Sequence, residues 1–337
     1  MEIQLFQHHP VIGYTFIPNL KTRIEHESGG YLVGTNGAGF RCEHEFEKAK
    51  TDGIFRILLF GDSFTAGDAV SNKYRFGDVL ETLIPNSEVY NFGLPGTGTD
   101  QHYLVWREIA REYEHDLVVI AAQVENIRRV VARHRLSATA SGKQVLFAKP
   151  YFELIDGELE LKGVPVPKGA VSPDELPESE REFVDQGGRM LWLRSLVNKM
   201  GGPIKDIAQR VSGYQPLPEY DDPNGREWTL MKAIIAKWTG EFFTSAIVMP
   251  LPIYHYIEET ASSDAYRERF RELAGLPGVT LHDPLLDYLV VPKAERRAFR
   301  FAADIHPTPS HHRLLAESLA KAVRSFVDGA VEGAAAK

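Results

Sequence analysis

Ile54-Phe55-Arg56-Ile57-Leu58-Leu59-Phe60-Gly61-Asp62-Ser63 is a nearly unbroken apolar run that stops at a glycine followed by two polar residues. Strict alternation would mark a strand with one wet face, whereas a continuous run of this length suits a strand covered on both faces. Comparable runs lie at Glu88 to Phe92, Leu117 to Ala122, Thr244 to Met249 and Val279 to His282, separated by helix-patterned stretches such as Arg75 to Leu83 and Gln101 to Glu112. Strands alternating with helices predict an α/β protein with a doubly wound parallel sheet, and ligands of such sheets gather at the carboxyl ends of the strands. Ser63 stands at one of those ends.

Outward from this core the pattern changes. Residues 1–52 are interrupted by Pro10, Pro18, Gly29, Gly30, Gly34, Gly37 and Gly39, with short β-prone runs such as Tyr31-Leu32-Val33 between them, which predicts an N-terminal β-rich extension. From 137 to 226 the strand–helix rhythm is lost, with a Pro/Gly-rich segment from Gly163 to Pro177 and a helical-looking stretch from Glu178 to Met200. Connections this long are usually lids or small subdomains, so 137–226 is assigned to a cap inserted into a sheet domain made of 53–136 and 227–328. Near the end, Leu315, Leu319, Ala322 and Phe326 recur at helical spacing and predict a final helix packed on the core; the small residues of 329–337 are assigned to a flexible tail.

Composition sets broader bounds. The chain has 337 residues, 46 acidic against 38 basic side chains and a formal charge of −8, with 43% hydrophobic and 25% charged residues, as expected of a soluble globular protein long enough to bury a large core. One cysteine, Cys42, excludes an internal disulfide framework and any multi-cysteine metal site. The N-terminus has neither a basic n-region nor an apolar h-region, and no run of about 18 apolar residues occurs, so the expected location is cytoplasmic with no membrane partner. The acidic balance argues against nucleic acid as a partner. Oligomeric state is not encoded in these features.

The turn after the first core strand carries the chemistry. Ser63 has its own backbone N–H, and the positive end of a following helix, available to an oxyanion, although Asp and Ser in such turns also serve as ordinary helix caps. A nucleophilic serine needs a base, usually a histidine oriented by a carboxylate. Ala302-Ala303-Asp304-Ile305-His306-Pro307, just before the final helix, supplies both residue types in a loop able to reach back over the sheet.

Together these segments resemble the SGNH (GDSL-type) hydrolase family in four ordered blocks. Gly61-Asp62-Ser63-Phe64 resembles the first block, and the resemblance makes Ser63 the nucleophile and first oxyanion donor. Asn91-Phe92-Gly93-Leu94-Pro95-Gly96 is similar to the second block and points to the Gly96 N–H as second donor. Val124-Glu125-Asn126 sits where the third block places the asparagine whose amide is the third donor, and the last block maps its base onto His306. The N-terminal G-Y…P-N…T-N-G-A-G-F-R pattern resembles leaders of some bacterial members. The family resemblance implies a flavodoxin-like three-layer fold, no cofactor, no metal, and acyl transfer through an acyl-enzyme on Ser63.

Two departures stand out. Ile127 replaces the aspartate of the usual G-x-N-D block, leaving the donor asparagine in place. The final D-x-x-H block has Ala303 at the aspartate position, with the carboxylate one residue closer at Asp304. Asp304 is the favoured orienting residue, with a backbone carbonyl or Asp283 as alternatives. The substrate implied is a small-molecule acyl ester, an acetyl ester on a carbohydrate being the family-level expectation. An acyltransferase using the same acyl-enzyme, and a non-catalytic binding protein retaining the fold, are the other readings.

Other signals are better explained by structure. Arg128, Arg129, Arg133 and Arg135 could place cations at a pocket rim but read first as a solvated helix face. Gly93, Gly96 and Gly98 have the wrong order and place for a dinucleotide loop. His306, His311 and His312 lack an accompanying acidic ligand pattern for a metal. Trp192, Tyr214, Tyr220 and Trp228 read first as core aromatics.

Overall fold

A computed structural model describes residues 4–138, 144–185 and 214–335. Two antiparallel hairpins open the chain, β1 (Phe6–His9) with β2 (Gly13–Phe16) and β3 (Lys21–Ile24) with β4 (Tyr31–Gly34). The core strands β5 (Phe55–Gly61), β6 (Ser87–Asn91) and β7 (Leu117–Gln123) follow. Next come β8 (His134–Ala138), β9 (Gln144–Ala148), β10 (Tyr151–Ile155), β11 (Glu158–Lys162), β12 (Ala170–Val171) and β13 (Val184–Asp185), before the core resumes with β14 (Ser245–Leu251) and β15 (Val279–Leu281).

The five core strands form one parallel sheet in the order β15-β14-β7-β5-β6. Counted along the core, that is the 2-1-3-4-5 flavodoxin-like arrangement, whose chain reversal between β5 and β7 leaves a crevice at the strand ends. The apolar runs are continuous because successive residues face different layers. Leu58, Phe60, Val118, Ile120, Ala246 and Val248 enter one buried cluster, and Ile57, Leu59, Val119, Ala121, Ile247 and Met249 enter another.

The first cluster is covered by helices α3 (Thr99–Glu108) and α5 (Arg226–Thr239), together with α6 (Tyr254–Ile257), α7 (Asp264–Arg271) and α8 (Leu285–Val290). The second is covered by α2 (Phe76–Leu83) and the last helix, α9 (Pro309–Ala335), which docks through Leu315, Leu319 and Val323. Two short helices, α1 (Ser63–Ala66) and α4 (Asn126–Arg129), sit at the strand ends. Sheet and flanking helices thus make the three layers of an α/β fold.

Three sequence expectations change. The run from Asn126 to Arg135 is not one solvated helix: α4 ends at Arg129 and β8 starts at His134. The Lys149 ammonium bonds the carbonyls of Arg129 and Ala132 at 2.9 and 3.0 Å, closing the helix as a basic side chain can. The stretch from Glu178 begins as a 3-10 turn (Glu178–Phe183) and passes into β13, paired with β8; its continuation to Met200, and Trp192, lie outside the described residues. Finally, α9 runs through to Ala335 instead of stopping before 329, as alanine and glutamate there favour helix.

In the described part of 137–226, β8, β9, β12 and β13 form a four-stranded sheet and β10 pairs with β11. The N-terminal hairpins lie against the core: the buried Arg41 guanidinium reaches the carbonyls of Gly67 and Val70, each at 2.8 Å, just after α1. Among the described residues no helix is long and apolar enough to cross a membrane.

Candidate active site

The turn at the end of β5 is built by Gly61 and Asp62. A Cβ on Gly61 would overlap the Thr65 side chain and come within 2.9 Å of the Ala121 carbonyl, so only glycine lets the chain turn this tightly over β7. Asp62 Oδ1 accepts the Phe64 N–H at 3.0 Å as the cap of α1. The same residue is therefore a cap, as local reasoning allows, and its second oxygen does something else: Asp62 Oδ2 meets Arg129 Nη1 at 2.6 Å.

Ser63 and His306, 243 residues apart, meet across the crevice with Oγ and Nε2 3.0 Å apart. The other ring nitrogen, Nδ1, is 2.6 Å from Asp304 Oδ1. The short Asp304-Ile305-His306 spacing works because the carboxylate folds back on its own chain: Asp304 Oδ1 also accepts the His306 main-chain N–H at 2.9 Å, an Asx turn that brings the oxygen to the ring. Asp283, the alternative orienting group, instead pairs with Arg267 at 2.6 Å.

Electrostatics follow from this arrangement. Burial disfavours a charged His306, but the bond to Asp304 and the carboxylates of Asp68, Asp304 and Asp62 outweigh it, raising the imidazole above its ordinary value. Burial likewise opposes ionisation of Asp304, yet the ring and main-chain bonds of His306 hold its carboxyl well below the usual range. Burial pushes the Asp62 carboxyl up, with Arg129 opposing the shift.

The proposed donors are distributed around the crevice. Gly96 has φ of +72°, a left-handed conformation natural to glycine, and lies on the pocket wall with Ser63. Its turn is pinned by the Tyr14 hydroxyl, which donates to the Pro95 carbonyl, and Tyr14 in turn accepts from Arg135 Nη1 at 3.1 Å. Among the described residues no group accepts from the Ser63 or Gly96 N–H. Asn126 is fully buried; its Oδ1 accepts from Arg129 Nη1 at 3.2 Å, and its Nδ2 has no partner among the described residues. Asn126 is not part of the pocket wall itself.

The crevice opens into a cavity of about 1050 Å³. Ser63, Phe64 and His306 line one side, and Arg128, Arg135, Glu182 and Glu219 line others, mixing both signs of charge. Wall residues come from the core, from 137–226, and from the N-terminal segment through His26 and Glu27.

No protein-family model matches the chain, and no curated protein matches it. Among solved structures it is similar to a member of the lipolytic protein G-D-S-L family from Veillonella parvula DSM 2008, at 13% identity over 78% of this chain and 95% of that one, with a TM-score of 0.40. The lipase/acylhydrolase from Enterococcus faecalis is 12% identical over 81% of this chain and 96% of that one, with a TM-score of 0.39. LAE5, an alpha/beta hydrolase enzyme from the metagenome of Lake Arreo, Spain, is 12% identical over 81% and 96%, with a TM-score of 0.44. Likeness this distant says nothing of chemistry, which has to come from the chain's own residues.

Several residues at the site carry no local sequence signal. Arg129, read from sequence as part of a solvated face, is largely buried and bonds Asp62, the Thr97 carbonyl and Asn126. Arg128 does reach the pocket, where Glu219 and the Pro216 carbonyl hold it. The only hint available was position: both follow the block that supplies Asn126. His311 and His312 turn inward, His311 Nδ1 to the Phe299 carbonyl at 3.0 Å and His312 Nδ1 to the Phe76 N–H at 3.3 Å. Of the aromatics, Tyr220 and Trp228 are core residues and Tyr214 lines the pocket.

Proposed function

We propose that the protein is a serine ester hydrolase acting on small acyl esters through an acyl-enzyme on Ser63. One observation carries the reading: Ser63 Oγ, the His306 ring and Asp304 stand in line at 3.0 and 2.6 Å on the wall of a large crevice. In this reading His306 Nε2 takes the Ser63 proton as Oγ attacks the ester carbonyl. The Ser63 and Gly96 N–H groups and the Asn126 amide stabilise the tetrahedral oxyanion. On collapse, His306 returns the proton to the departing alcohol. Water then enters, gives its proton to His306, attacks the acyl carbon, and the carboxylic acid leaves as Ser63 is reprotonated.

The Asx turn at Asp304 supports a working relay over a retired one, since it supplies the orienting carboxylate despite the shortened spacing. Charged side chains on the wall, Arg135, Glu182 and Glu219 among them, support an acylated polyhydroxyl compound, such as a carbohydrate acetate, as substrate. An acyltransferase would share every step up to the acyl-enzyme and differ in the alcohol that replaces water.

Fluorophosphonate labelling read by intact mass tests the reading. The expected result is a single adduct on the wild type and none on Ser63→Ala. An unlabelled wild type, or equal labelling of both proteins, would overturn it. Product analysis with added alcohols separates hydrolysis from transfer.

A further inference from the structure

We propose that His26 and Glu27, in the loop joining β3 to β4, are positioning residues that hold the Asp304–His306 relay in register; the inference rests on the hydrolase reading above. Both lie far from the relay in sequence. In space they grip it from two sides.

Glu27 grips the backbone. Its carboxylate accepts the main-chain N–H groups of Ala302, Ala303 and Asp304 at 3.2, 2.8 and 2.9 Å. Three successive amides converging on one carboxylate require residues 302–304 to curl, and that curl presents the Asp304 side chain towards His306. These bonds also hold the Glu27 carboxyl below its ordinary value, the Ala303 N–H contributing most, so it stays ionised and a strong acceptor at neutral pH.

His26 grips the side chain. Its Nε2 is 3.2 Å from Asp304 Oδ2, the oxygen that His306 does not use. The Ser28 main-chain N–H and hydroxyl lie 3.3 and 2.9 Å from His26 Nδ1, so Ser28 holds that side of the ring and Nε2 faces Asp304. The ring stands edge-on to Phe301 with centroids 4.6 Å apart, so its direction is set by packing as well. Asp304 thus has Oδ1 committed to His306 and Oδ2 committed to His26. A carboxylate tied at both oxygens cannot rotate away from the imidazole.

The arrangement also accounts for the departure in the final block. With the carboxylate only two residues before the histidine, the loop has to be held in a tight turn. The N-terminal hairpin supplies that hold from outside the core sheet. His26 and Glu27 touch Asp304, not the reacting atoms, which makes them positioning and not catalytic residues. Among the described residues, the titratable groups facing the relay are His26, Glu27 and Tyr31 on the Asp304 side and Asp62, Asp68 and His312 on the His306 side.

The test uses the full chain with p-nitrophenyl acetate as probe, comparing wild type, His26→Ala, His26→Gln and Glu27→Gln, with circular dichroism and thermal melting to follow folding. Removing a hydrogen bond to an ionised partner should lower kcat about 10-fold or more in His26→Ala, with KM held within about twofold. Without the His26 tether Asp304 can turn from His306, so the imidazole loses part of the support that raises it and the acid limb of kcat/KM moves to lower pH. His26→Gln, whose amide N–H can still donate to Asp304 Oδ2, should recover most of the loss.

Glu27→Gln, a near-isosteric change at an exposed side chain, carries the test independently of how well His26→Ala folds, and should lower kcat in the same way. Wild-type kcat and an unmoved acid limb in folded His26→Ala, wild-type kcat in Glu27→Gln, or losses confined to KM, would overturn the inference. A wild type labelled by fluorophosphonate while these variants behave normally removes only the positioning role. A wild type that is neither labelled nor active removes the hydrolase reading and this inference together.

Discussion

Asp62 and Arg129 form a buried ion pair directly behind Ser63: the carboxylate is wholly inaccessible and its Oδ2 lies 2.6 Å from Arg129 Nη1. The guanidinium also donates to the Thr97 carbonyl at 3.1 Å and to Asn126 Oδ1 at 3.2 Å, linking the turns that carry Ser63, Gly96 and Asn126. A pair of this kind does not by itself make a protein more stable than a hydrophobic substitute would, but removing one partner strands the other.

Arg129→Met should therefore destabilise the chain by about 3–5 kcal/mol in urea or thermal unfolding, because it leaves the Asp62 charge buried without its partner. Adding Asp62→Asn, which keeps an oxygen to cap Phe64 but removes the charge, should return part of that stability. Equal stability of Arg129→Met and wild type would contradict the role assigned to the pair.

Asn126→Ala deletes a buried amide whose Nδ2 has no partner among the described residues. If that N–H is kept for an oxyanion, kcat/KM falls on the order of 10² to 10³ while the protein still folds. Full activity in this variant would take Asn126 out of the reaction.

The pH dependence has a defined sign. Nε2 must be unprotonated to take the Ser63 proton, so kcat/KM rises with pH as His306 titrates. Burial works against the charged ring, but Asp304, Asp68 and Asp62 together raise its value above the ordinary 6.5. The midpoint of the acid limb is accordingly expected above 6.5, read from a pH–rate profile; a lower midpoint contradicts the geometry. For stability, the raised His306 contributes fully below its unfolded value and loses that contribution as pH rises through the folded one. Asp304, depressed in the fold, contributes above its unfolded value near 3.8 and loses it on acidification.

Gly61→Ala places a Cβ against Thr65 and 2.9 Å from the Ala121 carbonyl, where the neighbour is backbone and cannot rotate aside. A cost of about 1–3 kcal/mol is expected from overpacking, with Ser63 displaced from His306 as the turn shifts. Unfolding and activity measured on the same preparation should both fall.

Much of the architecture is legible locally. A strand whose residues enter two apolar layers in turn has to be apolar throughout, so the runs around Leu58, Val119 and Val248 announce a two-faced parallel sheet before any coordinates exist. Ser63 at the end of such a strand, and His306 ahead of the final helix, follow from the same periodicities and from four short blocks in order. The helical reading of Asn126 to Arg135 failed because charge pattern alone does not register that Lys149, from a later strand end, closes α4 at Arg129.

What periodicity cannot carry is which distant side chains meet. Asp304 reaches His306 through an Asx turn, and that turn is gripped by His26 and Glu27, which begin 278 and 275 positions earlier along the chain than the groups they hold. Arg129 looks like any surface arginine until Asp62 is folded over it. Local composition governs which segments become strand or helix because those choices depend on neighbours a few residues away. Whether a carboxylate, an imidazole and a hydroxyl line up depends on the mutual docking of hairpin, sheet and terminal helix, and only the folded chain decides that.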